Sequence, residues 1–368
     1  MKKYKYIDKN KVWQDEKEFF RFLDVDGKLI NKNFKTTVSK EELLRAYKYM
    51  ILSRQQDTYM SQLQRQGRML TFAPNFGEEA LQVAAALSLK KEDWLVPSFR
   101  NNAAMLMKGV PLKNQFLYWN GNEKGNYMPE DVNVFPINIV IATQYSHTAG
   151  IAFALKQQKK KAVAMTFIGD GGTSEGEFYE AMNIASVHNW PAVFCVNNNQ
   201  WAISTPTHLE TSAATIAAKA AAVGIPAIRV DGNDLIASAE IIKEAVEYSR
   251  EGNGPILVEF LTWRQGPHTT SDNPRVYRTK EREEKEEKWE PIHRIKNYLI
   301  EKNIWTEDED KKLWDEYLEL VKSAYQESLK ENNREVEDVF KHTFEEMTPE
   351  LKEQQEVAIQ FEKEGFND

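Results

Sequence analysis

The chain has 368 residues, of which 41% are hydrophobic and 28% charged, a composition suited to one large or two ordinary soluble globular domains. Lys and Arg total 48 against 56 Asp and Glu; the net charge of −8 disfavours non-specific binding to nucleic acid or anionic membrane, while leaving room for a local cationic pocket. The single cysteine, Cys195, excludes an intramolecular disulfide, and its apolar surroundings predict a small buried core residue rather than a nucleophile.

The basic start, residues 1–10, runs into Tyr, Asp and Lys rather than an apolar stretch, and no run of about 18 apolar residues follows. Neither a secretory signal nor a membrane span is expected, and the predicted location is the cytoplasm. Residues 1–40 mix charge and aromatics without a period, which predicts an extended or partly ordered arm. Ser39 and Glu42 have capping-box spacing, and Leu43, Leu44, Tyr47, Met50 and Ile51 recur at helical spacing, so a helix is predicted to run to Arg65 and stop near Gly67. A second helix is expected over 77–89 and a short strand over 93–97. A helix opening at Ser98-Phe99-Arg100-Asn101 should end at Gly109, before a polar loop at 120–126. The apolar run 138–143 suggests a buried strand. The helix after it, 145–158, carries Ala149, Gly150, Ala152 and Ala154, small residues that allow close approach of another element.

From residue 162 the alternation is regular. Strands are predicted at 162–168, 192–196, 227–230 and 255–263, and helices at 174–188, 213–223 and 235–248. Near-continuous apolar strands separated by helices predict an α/β fold, a mostly parallel sheet with helices on both faces. The charge-dense run 280–288 reads as a solvated helix, and Trp314, Tyr317, Leu318, Val321, Ala324 and Tyr325 recur at helical spacing. The expected organisation is an arm at 1–40, an α/β domain at 41–278 and a helical C-terminal extension at 279–368.

The chemistry concentrates in Gly169-Asp170-Gly171-Gly172-Thr173-Ser174 and Asn197-Asn198-Asn199. Asp170 ends a buried strand, the place where open α/β sheets bind ligands. Gly171 and Gly172 let backbone approach a phosphate, and Ser174 with Glu177 suggests a capping box fixing an anion-attracting helix start. One helix and one strand later, the asparagine run should arrive beside Asp170. A carboxylate and an amide oxygen make a hard, oxygen-only site suited to Mg²⁺, with Asp170, Asn199, a backbone carbonyl near Trp201, phosphate oxygens and water as ligands. Other nucleotide motifs fail: Ser174 stands where a dinucleotide-binding loop needs its last glycine, and Glu177 where a P-loop needs lysine. Arg100, opening a helix just after a strand, can present a fork of donors to a phosphate. His268 follows Gly266-Pro267 in a polar loop after the last strand; with an ordinary pKa near neutrality it could donate a hydrogen bond or shuttle a proton.

These residues, with Gly77-Glu78-Glu79-Ala80, Phe99-Arg100, Ala202-Ile203-Ser204-Thr205-Pro206, Arg229-Val230-Asp231-Gly232 and His268-Thr269-Thr270-Ser271-Asp272, resemble the alpha subunit of the decarboxylating dehydrogenase component of 2-oxo-acid dehydrogenase complexes, in order from about residue 40 to 360. The resemblance implies a thiamine diphosphate-binding fold, with Mg²⁺ held by Asp170, Asn199 and the Trp201 carbonyl. It places Phe99, Arg100, Gly171, Gly172 and His268 at the diphosphate, and Ile139 and Ile141 at the aminopyrimidine through backbone groups. Many relatives carry Tyr where this chain has Phe99, which removes one hydrogen-bonding hydroxyl; Trp201 also departs from the pattern, at a position used through its carbonyl.

The glutamate that activates the aminopyrimidine comes from the beta subunit in this family, and only one sheet's worth of strands is apparent here. An obligate beta partner is therefore expected, in an assembly of two alpha and two beta chains, with the 145–154 helix a candidate interface and His147 a packing or interface residue. The implied reaction decarboxylates pyruvate and passes the two-carbon unit to the lipoyl group of a dihydrolipoyl acetyltransferase component, giving acetyl-CoA and CO₂ in the whole complex. Gly266-Pro267-His268 and Gly172-Thr173 lean toward pyruvate over branched-chain 2-oxo acids or acetoin; the alternative of another class is a non-catalytic binding protein retaining the fold. The loop 264–277, with Thr269, Thr270 and Ser271, is expected to be ordered by cofactor, and phosphate on Thr269 would repel the diphosphate.

Overall fold

The computed structural model describes residues 3–331, 335–341 and 343–364. The long first helix, α1 (Lys40–Arg65), starts at Ser39, whose hydroxyl accepts from the Glu42 N–H while the Glu42 carboxylate takes the Ser39 N–H, the reciprocal cap that the spacing predicts. Then follow α2 (Glu79–Leu87), β1 (Trp94–Val96), α3 (Asn102–Lys108), α4 (Leu112–Trp119), α5 (Thr143–Gln157), β2 (Ala164–Gly169), α6 (Gly176–Val187) and β3 (Ala192–Asn198). A two-residue ribbon, β4 (Trp201–Ala202) with β5 (Thr205–Pro206), leads to β6 (Ala227–Asp231), α7 (Leu235–Tyr248), β7 (Ile256–Leu261) and the helices α8 (Lys280–Glu287), α9 (Pro291–Glu301), α10 (Glu307–Lys330) and α11 (Pro349–Glu364).

Five strands pair in parallel in the order β1-β2-β3-β7-β6. The β3 strand is buried along its whole length, so its residues are apolar on both faces up to the asparagine tip. Helix α5 packs on β1, β2, β3 and α6, and α7 packs on β6, β7 and α2. Cys195 is buried at the sheet centre, and burial pushes its thiol well above the usual range.

Two expectations change. The apolar run 138–143 is no strand: Ile139, Val140 and Ile141 are 55%, 66% and 44% exposed, and Ala142 turns the chain at φ 69°. The sheet edge it would need is taken, because Leu95 in β1 bonds residues 133 and 135. The predicted helix at 213–223 is a 3-10 segment, Ala217–Val223, closed by Gly224. The α4 helix has no counterpart in the sequence expectations.

The N-terminal arm, expected to be extended or partly ordered, lies ordered against the sheet edge. Phe20 bridges Val230, the Trp13 indole donates to the Ala227 carbonyl at 2.7 Å, and Trp13 and Leu23 join the main core. Buried Arg229 donates to the carbonyls of Asp15, Glu16 and Glu18. At the other end, α9 and α10 pack on α1, and buried Arg294 ties the Leu23 carbonyl to Asp231. The α8 helix buries none of its residues, in line with its charge density. Among the described residues no helix is long and apolar enough to cross a membrane.

Candidate cofactor site

The β2–β3 register pairs Gly169 with Asn197, so Asp170 and Asn199, just past these tips, emerge from neighbouring strands. Asp170 is 2% exposed; its Oδ2 accepts from the Thr207 hydroxyl at 2.6 Å. Burial pushes its carboxyl up to about 7, and the nearby Glu210 carboxylate adds to the rise. The chain then makes a 3-10 turn, Gly171–Ser174, held by the Thr173 N–H and hydroxyl on the Asp170 carbonyl at 3.0 and 2.7 Å.

That turn takes Ser174, so the expected Ser174–Glu177 capping box is not formed. The α6 helix starts at Gly176, the Ser174 hydroxyl donates to the Glu210 carbonyl, and Glu177 accepts from Ser146. A Cβ on Gly171 would lie 2.5 Å from the Ala202 Cβ, and one on Gly172 would lie 2.5 Å from the Ile168 Cγ1. A side chain at either position would force its neighbour to move, so glycine suits this close approach.

At the second tip, the Asn199 side chain gives its nitrogen to Glu78 at 2.8 Å and takes the Trp201 N–H on its oxygen at 3.2 Å. The Trp201 carbonyl accepts from Nη1 of Arg264 at 2.9 Å, and Nη2 of the same guanidinium holds the Ile203 carbonyl at 2.6 Å. Arg264 is fully buried at the carboxyl end of the last strand, so it ties the β4–β5 ribbon to the sheet.

The β1 tip brings in Phe99 and Arg100. Arg100 is 5% exposed, and burial pushes it down to about 10. It donates to the Pro74 carbonyl and, at 3.0 Å, to Nδ1 of His268. A guanidinium can only donate, so Nδ1 accepts and the imidazole proton sits on Nε2. Burial and the Arg100 charge hold His268 down to about 4, below the near-neutral value expected for the residue type, so the ring is neutral at physiological pH. Phe99 meets the His268 ring edge-on at 6.0 Å. The loop beyond is pinned by the Thr270 N–H on the Phe72 carbonyl and by Ser271 on Thr71.

One cleft of about 770 Å³ is lined by Phe99, Arg100, Ile139, Ile141, Asp170, Gly171, Gly172, Asn199, Trp201 and His268, so every residue assigned from the sequence to the cofactor or its metal ion borders the same space; Asn198 of the asparagine run lines a different cleft. Ile139 and Ile141 reach it from the irregular segment that replaces the expected strand. The sequence reading missed Glu78, Thr207, Glu210 and Arg264. Glu78, within Gly77-Glu78-Glu79-Ala80, and Arg264, which opens the loop 264–277, lay in segments already singled out; Thr207 and Glu210 are brought in by the chain after the β4–β5 ribbon.

The residues fit a divalent cation with a phosphorylated cofactor. Among the described residues no three His, Cys, Asp or Glu side chains converge on one point. A cation here would therefore take amide, carbonyl and phosphate oxygens beside the Asp170 carboxylate, the donor set of Mg²⁺. Buried acceptors without partners, Asn197 Oδ1 and Glu210 Oε2, line the same cleft, and the glycine turn leaves backbone room for a phosphate.

A family model described as "Dehydrogenase E1 component" matches residues 47–337. The chain is 48% identical over 355 residues to "Pyruvate dehydrogenase E1 component subunit alpha" of Mycoplasma genitalium, covering 96% of this chain and 98% of the relative. Proteins of the same description from Acholeplasma laidlawii and Bacillus subtilis are 46% and 40% identical over 335 and 344 residues, covering 90% and 93% of this chain and 97% and 93% of theirs.

Proposed function

The chain belongs to the dehydrogenase E1 component family, and from that premise we propose that it is the alpha subunit of a thiamine diphosphate-dependent pyruvate dehydrogenase. With its beta subunit it decarboxylates pyruvate and acetylates the lipoyl group of the acetyltransferase component. The observation that carries this reading is the convergence of the β1, β2, β3 and β7 carboxyl ends on one cleft, with Asp170 and Asn199 on neighbouring strands.

In this reading Asp170, Asn199 and the Trp201 carbonyl hold Mg²⁺. The carbonyl oxygen has a second lone pair beside the one given to Arg264. Thiamine diphosphate, when bound, supplies the stabilised carbon nucleophile that makes loss of CO₂ from a 2-oxo acid possible. The protein binds and orients it. Gly171 and Gly172 admit the diphosphate, and Arg100 brings positive charge to it. His268 offers its Nε2 proton as a hydrogen bond, with Arg100 fixing the tautomer. Phe99 packs beside the histidine, and Ile139 and Ile141 form the wall at the aminopyrimidine. The activating carboxylate comes from the beta subunit, which closes the exposed mouth of the cleft in an assembly of two alpha and two beta chains.

The test is reconstitution of the alpha–beta pair. CO₂ release and lipoyl acetylation are measured with pyruvate, 3-methyl-2-oxobutanoate and acetoin, with and without thiamine diphosphate and Mg²⁺. Pyruvate turnover that needs both additions is expected. Preference for another substrate changes the specificity assignment, and failure to bind cofactor in the assembled pair removes the enzymatic reading.

A further inference from the structure

Glu78 lies just before α2 with no exposed surface. Its Oε2 accepts from Nδ2 of Asn197 at 2.5 Å, and its Oε1 accepts from Nδ2 of Asn199 at 2.8 Å. A carboxylate whose two oxygens are both taken by N–H groups has nothing to donate. Each asparagine must therefore turn its nitrogen toward Glu78 and its oxygen away. The consequence is visible on the far side of both amides. The Asn199 oxygen is steadied by the Trp201 N–H, and the Asn197 oxygen is buried with no partner. Both asparagines line the cleft.

We infer that Glu78 is a positioning residue, a two-handed clamp that forces Asn199 to present its oxygen, not its nitrogen, to the divalent cation. The inference rests on the cofactor reading above. An amide can flip by half a turn with little change of shape, and a flipped Asn199 would aim N–H groups at a cation. A flip would lose both the bond from the Asn199 nitrogen to Glu78 and the bond from the Trp201 N–H to the Asn199 oxygen. Gln at position 78 can still accept from Asn199 if Asn197 turns its oxygen to the glutamine amide, so the clamp is removed only by a side chain with no acceptor, as in Glu78→Leu. Moving the carboxylate across the contact keeps the clamp. In Glu78→Gln with Asn197→Asp, the glutamine amide donates to the carboxylate introduced at position 197 and accepts from Asn199, and the Asn199 oxygen still faces the cation.

The assembled alpha–beta complex with thiamine diphosphate is titrated with Mn²⁺, and the free ion is read by electron paramagnetic resonance, alongside the melting temperature of each variant. Glu78→Leu is expected to weaken Mn²⁺ binding by about 10- to 100-fold, the usual effect of removing a hydrogen bond that orients a ligand. The double variant Glu78→Gln with Asn197→Asp is expected to stay within about threefold of wild type, as hydrogen-bond polarity requires. Wild-type Mn²⁺ affinity in Glu78→Leu overturns the clamp. So does a double variant that assembles yet binds Mn²⁺ more than about tenfold more weakly than wild type, and this holds even where Glu78→Leu does not fold. Absence of Mn²⁺ uptake by the wild-type complex removes the cofactor reading and the clamp with it; equal uptake by wild type and Glu78→Leu removes the clamp alone.

Discussion

At Asp170 and His268, burial shifts two titrations in opposite directions. The Asp170 carboxyl is raised to about 7. Its contribution to stability is fully present below the ordinary carboxylate range and is lost as pH rises through about 7, because the fold must then keep a buried charge. Asp170→Asn should remove that component, worth on the order of 2–4 kcal/mol. The variant is therefore expected to melt at a higher temperature than wild type at pH 8 and close to it at pH 4, while losing the stabilisation given by thiamine diphosphate with Mg²⁺ to the assembled pair. Thermal melts at the two pH values read both effects. His268 is lowered to about 4, so its contribution is present above about 6.5 and lost as pH falls toward 4. Its ring signals in a selectively labelled sample should stay at the neutral-form position from pH 5 to 8. A midpoint near 6.5 would show that the burial of His268 beside Arg100 does not hold in solution.

On the scale of elements, the site depends on how closely the Gly171–Ser174 turn meets the β4–β5 ribbon. Gly171→Ala places a methyl group 2.5 Å from the Ala202 Cβ, so the ribbon carrying the Trp201 carbonyl must move. A loss of about 1–3 kcal/mol is expected from the overpacking, together with weaker cofactor binding. Gly169→Ala, two residues earlier, meets nothing within 4 Å and should change stability by less than about 0.5 kcal/mol. Chemical denaturation of the two variants side by side separates local crowding from a general intolerance of the turn. The strands of this region were legible from their apolar runs. The Ser174–Glu177 cap was not: sequence spacing cannot tell a helix start from a 3-10 turn placed ahead of it.

For the whole molecule, α5 offers the test of assembly. Gly150 is exposed, and a side chain there meets nothing within 4 Å of this chain. Gly150→Leu should leave the alpha chain's own melting temperature unchanged or slightly raised, since glycine costs about 1 kcal/mol in a helix. Loss of co-purification with the beta subunit is the expected result; undiminished co-purification would remove α5 from the interface. The sequence by itself determined the parallel α/β plan, the helix boundaries at Ser39, Gly109 and Tyr248, and the emergence of Asp170 and Asn199 just past the tips of neighbouring strands, because hydrophobic period and cap chemistry are local and a helix between two parallel strands brings their tips together. Only the tertiary structure decided that Ile139 and Ile141 are exposed at the wall of the cleft, that the N-terminal arm belongs to the core, and that Glu78, Thr207, Glu210 and Arg264 surround the site. Those facts depend on which segment occupies a sheet edge and on contacts between residues far apart in the chain, and neither leaves a period in the sequence.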